Sequence, residues 1–364
     1  MRITEKEVIK RLWESADRYK PLSFVKFDEE FLFITGVRPD AVVEVSIENG
    51  LSFKALIEIA SVATPKNVAE KCNSLLDCIR KLNRPDLVPA IVAPYIAGKQ
   101  AKILAERGVS WIDLCGNMVV NVPGKIYIER TGNKNKFPDT SPIKKIFQGT
   151  SSLVSRALLL RPEGFSSQYE LVDFINSRNA NITAGTVSRV LKSLEEELLI
   201  KKTKPLIAVI DAEKLLDKLT QGYVDYTKYQ KTRTYKFAVD EINKVFYVFF
   251  ERQVNYVACG FYAAKLKRLA TTEQITIFVR EVEQVKKATE FAMVEMVPDS
   301  EFGQLCFIQT IDPCVWFNSS KAQPFVPAAI DDIELYLEMM ADTPRGPKVA
   351  KLLKSQILKG QFNG

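Results

Sequence analysis

The run Ile182-Thr183-Ala184-Gly185-Thr186-Val187-Ser188-Arg189-Val190-Leu191-Lys192 carries two chemistries on one short stretch. Val187, Val190, Leu191 and Leu194 recur at helical spacing and therefore turn inward, while Thr183 is the capping residue of the helix they define. Gly185, Thr186, Ser188, Arg189 and Lys192 then lie outward, near the helix start. Small hydroxyl side chains allow close approach to a polyanion. The positive helix end suits phosphate, and arginine can donate two bonds to guanine or to a phosphate. Lys201, Lys202 and Lys204 follow in a basic segment ending at Pro205, suited to a phosphate backbone. From 144 to 204 there are ten basic and six acidic side chains, so the charge agrees with the helix pattern. Double-stranded DNA is the expected partner, with Thr183, Thr186, Ser188, Arg189, Lys192, Lys201, Lys202 and Lys204 as contact residues.

Histidine is absent from the 364 residues. That excludes Ser-His-Asp, Cys-His and His-zinc chemistries, which need an imidazole as base, partner or ligand. Carboxylate and Mg²⁺ chemistry stays open, because it needs only Asp, Glu and Lys. The six cysteines show no C-x-x-C pair, so buried free thiols are expected rather than a zinc ribbon or redox motif. A net charge of +7 permits a polyanion without demanding one. The N-terminus lacks the apolar core of a secretory signal, and no segment has the uninterrupted apolar length of a membrane span. The expectation is a cytoplasmic protein with no membrane partner.

The elements that must position these residues follow from periodicity. Residues 5–20 read as an amphipathic helix. Residues 41–48 and 51–59 read as a hairpin joined by Asn49-Gly50. A helix over 66–82, a strand over 87–93, a helix over 98–107 and a hairpin-like stretch over 111–130 complete an α/β unit. Within the last, Gly116-Asn117 is expected as a simple turn. The Gly-, Asn-, Lys- and Pro-rich stretch 131–141 reads as a linker. Next come helices over 151–160 and from Ser167-Gln168-Tyr169-Glu170, a capping box, and then the helix begun by Thr183. The third region opens with a helix through Leu215, Leu216 and Leu219. It continues through strands at 245–250 and 275–279 and ends in helices over 330–340 and 348–358. Tyr223 to Lys236 interleaves tyrosines with basic residues, as either a nucleic-acid stacking surface or a solvent-facing strand would. The expected architecture is multidomain α/β, with domains at 1–140, 141–211 and 212–364.

Two resemblances bear on these regions. Arg38-Pro39-Asp40, the Asn49-Gly50 turn, Leu56-Ile57-Glu58-Ile59-Ala60 and Ala63-Thr64-Pro65-Lys66-Asn67 resemble the core of PD-(D/E)XK nucleases. This implies a restriction-endonuclease-like fold with Asp40 and Glu58 as Mg²⁺ ligands. Ala60 stands where that family has its lysine, so the resemblance points to the fold and against the reaction unless Lys66 substitutes. A turn residue and an edge-strand charge are the plain alternatives for Asp40 and Glu58. The string ITAGTVSRVLKSLEEELLI closely resembles the recognition-helix segment of bacterial winged-helix regulators. Together with Val257-Ala258-Cys259-Gly260-Phe261-Tyr262-Ala263-Ala264 and Asp331-Asp332-Ile333-Glu334-Leu335-Tyr336-Leu337, it is similar to AbiEi-type antitoxins of type IV toxin–antitoxin systems. That implies a central winged helix-turn-helix that represses its own operon and a C-terminal nucleotidyltransferase-like domain opposing a cognate toxin. Gly260 is followed by Phe261, and the strand Ile275-Thr276-Ile277-Phe278-Val279 has no paired carboxylates, so nucleotide transfer is not expected.

Three functions remain open at this level. The first is a sequence-specific DNA-binding transcriptional regulator with no cofactor and no catalysis, of a class that reads two half-sites as a homodimer. The second is a Mg²⁺-dependent nuclease carried to DNA by the winged helix, with Asp40, Glu58 and Lys66 as its site. The third is a non-catalytic adaptor whose flanking domains hold proteins.

Overall fold

The runs 41–47 and 52–59, expected as the strands of a hairpin, pair as neighbouring strands in the computed structural model and contribute buried residues to two clusters. The structure describes residues 3–28, 39–48, 50–137, 144–203, 205–228, 233–291, 296–298, 303–341 and 345–359. The chain divides into two compact units, Met1–Ile143 with Glu196–Leu198, and Lys144–Glu195 with Leu199–Gly364.

The first unit opens with α1 (Glu5–Glu14), whose first turn is capped by the Thr4 hydroxyl accepting from the Glu7 N–H. Strands β1 (Leu22–Asp28), β2 (Ala41–Ile47) and β3 (Ser52–Ile59) follow as an antiparallel meander. After α2 (Pro65–Leu82) comes β4 (Leu87–Ala93), and after α3 (Gly98–Glu106) comes β5 (Ser110–Asp113). Both of these strands run parallel to β3 because a helix returns the chain each time. Strands β6 (Met118–Val122) and β7 (Ile126–Arg130) close a curled seven-stranded sheet in sequential order.

Side-chain alternation sorts this sheet into two cores. Val43, Val45, Ile57 and Ile59 cluster with Val8 and Leu12 of α1. Val42, Leu56 and Ala60 cluster with Val68, Cys72 and Leu75 of α2. The expected hairpin at 41–59 is present. Gly50 takes the positive φ of its turn, while Asn49 lies outside the described residues. Gly116-Asn117 is likewise a turn, tied down by the buried Asp113 carboxylate, which accepts from the Cys115 and Asn117 N–H groups at 2.9 Å. Strand β1 has no counterpart in the expectation. Only part of the expected linker at 131–141 falls within the described residues.

The second unit begins with α4 (Gly149–Leu160), α5 (Gln168–Asn176) and α6 (Ala184–Glu196), then the hairpin β8 (Ile200–Thr203) and β9 (Leu206–Val209). Phe165, between α4 and α5, pairs with Ile207 through two backbone hydrogen bonds of 2.9 and 2.7 Å, adding a third short strand edge to the hairpin. Gly164 allows this approach, since a Cβ there would run into the Ile207 carbonyl oxygen.

Helix α7 (Ala212–Thr227) leads to a five-stranded sheet of order β11-β12-β14-β10-β13. Its strands are β10 (Arg233–Val239), β11 (Tyr256–Ala258), β12 (Ile275–Val279), β13 (Met296–Pro298) and β14 (Leu305–Gln309). Among the described residues of this sheet, β12 and β14 pair in parallel and the other neighbours are antiparallel. Helices α8 (Ile242–Glu251), α9 (Gly260–Leu266), α10 (Val282–Phe291), α11 (Asp332–Ala341) and α12 (Gly346–Lys359) complete the unit.

Two local expectations are corrected. Residues 245–250, expected as a strand, belong to α8. A short apolar run fits either element, and burial of Val245, Phe246 and Phe249 follows the helical period. Tyr223 to Lys236 is not one strand. Asp211 caps α7, its carboxylate accepting from the Lys214 N–H at 2.9 Å, and the helix carries on through Tyr223 and Tyr226 before β10 starts at Arg233. Lys231 lies outside the described residues.

One hydrophobic core runs through the second unit, from Ile146 to Leu358. Helix α4 is its centre, buried on every side from Ser152 to Leu159. Arg156 is therefore enclosed, and its guanidinium meets Glu334 of α11 at 2.5 Å with both side chains at most 2% exposed. A fully enclosed charge is tolerable only beside an opposite one. All six cysteines are buried and free. Among the described residues no helix is long and apolar enough to cross a membrane.

Candidate functional site

The outward side of α6 is assembled by its neighbours. Ser167 caps α5, accepting from the Glu170 N–H at 3.1 Å as the capping-box pattern predicts. Glu170, however, reaches one residue further back than expected, to the Ser166 N–H and hydroxyl at 2.7 Å, and also pairs with Arg161 at 2.6 Å. Those Ser166 bonds, together with Arg161, pull its carboxyl down to about 2. The turn into α6 is clamped by Asn176, whose side chain accepts from the Ile182 N–H at 2.8 Å and donates to the Ile182 carbonyl. Asn179 takes the left-handed conformation of that turn, which asparagine tolerates better than most residues. The Arg178 guanidinium lies 3.5 Å over the Phe174 ring, and the Arg178 carbonyl accepts from Asn318 N–H at 3.1 Å.

Thr183 caps α6 as expected, accepting from the Thr186 N–H at 3.3 Å. Its hydroxyl is 3.1 Å from that of Thr186, which in turn accepts from Arg189 Nη2 at 3.4 Å. Val187, Val190, Leu191 and Leu194 are buried, while Thr183, Ser188, Arg189 and Lys192 are exposed and Thr186 is half-buried. Among the described residues none of Arg189, Lys192, Lys201 and Lys202 forms an ion pair, so their charges face solvent uncompensated at close range. The sequence-expected contact residues of α6 thus share one surface.

The hairpin divides its lysines. Lys202 sits opposite Ile207 and Lys201 opposite Ala208, and successive residues of a strand point to opposite faces. Both lysines are exposed, yet they leave the hairpin in opposite directions. Lys204 lies outside the described residues.

The second candidate group lies in the first unit. Asp40, just before β2, accepts the Ile59 N–H through Oδ2 at 2.6 Å. Glu58 is on β3 and only 8% exposed, so it is neither an edge-strand charge nor solvated. It shares the sheet face of Leu56 and Ala60, the face covered by α2. Lys71 of α2 reaches across to it. Its Nζ is 2.7 Å from Glu58 Oε2 and 3.6 Å from Asp40 Oδ2.

Lys71 is therefore the lysine the structure brings to the two carboxylates, where the sequence suggests Lys66, an earlier residue of the same helix. Ala60 is buried in the core beneath α2. Burial raises the Glu58 carboxyl against the pull of Lys71. Burial alone would lower the Lys71 ammonium, but its bond to Glu58 holds it above the usual lysine range. A signal for Lys71 is present in the sequence. It adjoins Cys72 and lies one turn from Val68 and Leu75, so it flanks the buried stripe of its helix.

No known protein family, no curated protein and no solved structure matches the chain.

Proposed function

We propose that the protein is a sequence-specific DNA-binding regulator whose three-helix block and hairpin act as a winged helix-turn-helix. One observation carries this reading: Thr183, Ser188, Arg189 and Lys192 stand exposed on a single side of α6, opposite a fully buried apolar face. Cations and hydroxyls near a helix N-terminus are what a major-groove helix needs, and a basic hairpin supplies grip on the backbone. Arg189, already held by Thr186, is the residue best placed to read a base edge. The resemblance to AbiEi-type antitoxins agrees with this reading and would make the target the protein's own operator, with a cognate toxin as a further partner and a homodimer as the binding form. It also makes the five-stranded sheet with its helices a nucleotidyltransferase-like domain.

The experiment is a salt titration. Binding to duplex DNA from the protein's own promoter should fall log-linearly with salt, because each neutralised phosphate releases a counterion. A flat response would remove the phosphate contacts and with them the proposal.

A second reading is favoured by the placement of Lys71. With Asp40 and Glu58 it forms a two-carboxylate and lysine group on the seven-stranded sheet, and the resemblance of this region to PD-(D/E)XK nucleases supports the reading. Asp40 and Glu58 fit Mg²⁺ by donor type, since that ion takes one or two carboxylates and keeps water or phosphate oxygens for the rest. When bound, the ion would polarise a phosphodiester and lower the pKa of a water. Lys71 would offer a positive charge beside the two carboxylates. Duplex and single-stranded DNA incubated with Mg²⁺ or Mn²⁺ decide the matter. Cutting by the wild type that is lost in both Glu58→Gln and Lys71→Met, with DNA binding retained, establishes the nuclease. No cutting by the wild type rejects it.

A further inference from the structure

Helix α8 keeps aromatic residues on its outward side as well as its inward one. Val245, Phe246, Val248 and Phe249 are buried, while Asn243, Lys244, Tyr247, Phe250 and Glu251 are exposed at the spacing of one helix face. Tyr247 stands at the middle of that face, 41% exposed. A turn from a distant part of the chain widens the patch. Gln323 and Val326 exchange two backbone hydrogen bonds of 2.9 and 3.0 Å, and Pro324-Phe325 form the tip between them. The Phe325 ring lies on Tyr247, with centroids 5.2 Å apart and planes 21° from parallel.

Two features make this turn unlike a core contact. Phe325 takes a φ of +66°, the left-handed conformation that turns ordinarily give to glycine or asparagine and that is unfavourable for a bulky residue. Its side chain is nevertheless 55% exposed, and Val326 beside it 49%. A strained backbone thus holds out an aromatic ring that gains only part of its burial within the chain. Tyr247, Phe250, Phe325 and Val326 join into an exposed apolar patch, the kind of surface that marks an interaction site.

The charges around Tyr247 identify the occupant. Lys244 lies one turn before it and Glu251 one turn after, on the same side of α8. A second α8 laid antiparallel across the first, about a two-fold axis through Tyr247, brings Lys244 of each protomer to the Glu251 end of the other. A parallel arrangement would set like charges together. The Glu241–Lys244 pair of 3.1 Å is solvent-exposed and so yields readily to a new partner. Lysine and glutamate in balance give no field to draw a polyanion, whereas opposite charges at the two ends of one apolar face are self-complementary.

We propose that the α8 face with the Phe325 turn is the contact between two copies of this chain, paired antiparallel through Tyr247. This contact stands whether or not α6 binds DNA.

Sedimentation velocity over a dilution series of the full chain measures it. The wild type is expected to self-associate, with dimer present by about 100 μM. Tyr247→Ser should weaken the dimer about tenfold or more, as loss of a central aromatic anchor does. Phe325→Gly relaxes the turn, so its melting temperature at low protein concentration should stay close to that of the wild type, while dimerisation weakens about fivefold or more. A merely structural role for Phe325 predicts a lower melting temperature and an unchanged dimer. Lys244→Glu and Glu251→Lys should each weaken the dimer, and the double variant should recover most of the loss. A wild type that stays monomeric, whether the patch then receives another protein or nothing, overturns the assignment. So does a dimer that survives Tyr247→Ser or Phe325→Gly with unchanged affinity, or a double variant no better than the single ones.

Discussion

Reversing two charges on α6, in the variant Arg189→Glu with Lys192→Glu, is expected to lower affinity for the operator about 100-fold or more at moderate salt. A good bidentate arginine–base pair contributes about 1–3 kcal/mol, and placing two carboxylates against phosphates adds repulsion to that loss. The salt dependence should flatten as well, by roughly one in slope for each phosphate contact removed. Both side chains are exposed and neither packs into the core, so the variant should melt with the wild type. Titration of fluorescent duplex at several salt concentrations reads both effects. Wild-type affinity in a sample with an unchanged melting curve would show that α6 is not the reading surface.

Replacing Arg156 by Met is expected to destabilise the second unit by about 3–5 kcal/mol, because it strands the Glu334 carboxylate in the core without its partner. The pair is enclosed on both sides, and solvent screening does little there. Replacing both partners, Arg156→Met with Glu334→Leu, should recover most of the loss, since an apolar pair of similar volume is often as stable as a buried ion pair.

The loss should also depend on pH. Burial lifts the Asp331 carboxyl to about 6 and raises Glu334 above the usual carboxylate range. For an acid whose folded pKa is raised, the folded state binds the extra proton, so stability is present at acid pH and falls as pH rises through the folded value. The single variant should therefore differ most from the wild type near neutrality, and the gap should narrow as pH falls toward the range where Glu334 takes a proton. Denaturant melts at pH 5 and 7.5 measure this. A single variant within about 1 kcal/mol of wild type at both pH values would mean that Glu334 finds another way to be satisfied.

Much of the α6 surface is legible in the order of the amino acids alone. Thr183, the spacing of Val187, Val190, Leu191 and Leu194, and the hydroxyl and basic residues between them specify α6 locally, and local signals survive folding well. Ser167 and Glu170 announce α5 in the same way, though the chain lets Glu170 reach Ser166 instead of the cap residue itself. What spacing cannot supply is contact between distant segments. Lys71 reaches Asp40 and Glu58 only because α2 lies over the face of β3 that carries Glu58. Tyr247 and Phe325 stack although they belong to segments far apart in the chain. Residues 245–250 mislead for a different reason. When nearly every residue in a short run is apolar, the periodicity that separates strand from helix has little to work with.

Helix α4 has no face for water: Ser152 through Leu159 are all enclosed, and α5, α7 and α12 each lie against it. A fragment ending near residue 211 would retain α6 and every exposed cation on it, yet would strip away the α7 and α12 surfaces that keep the centre of α4 dry. Such a piece would offer its solvent a broad oily flank and would clump before it could be assayed. The block from α4 to β9 is thus not a portable cassette. Any truncated version meant for binding work has to extend through α12, and grafting the block onto another scaffold would require repainting α4 with polar residues first.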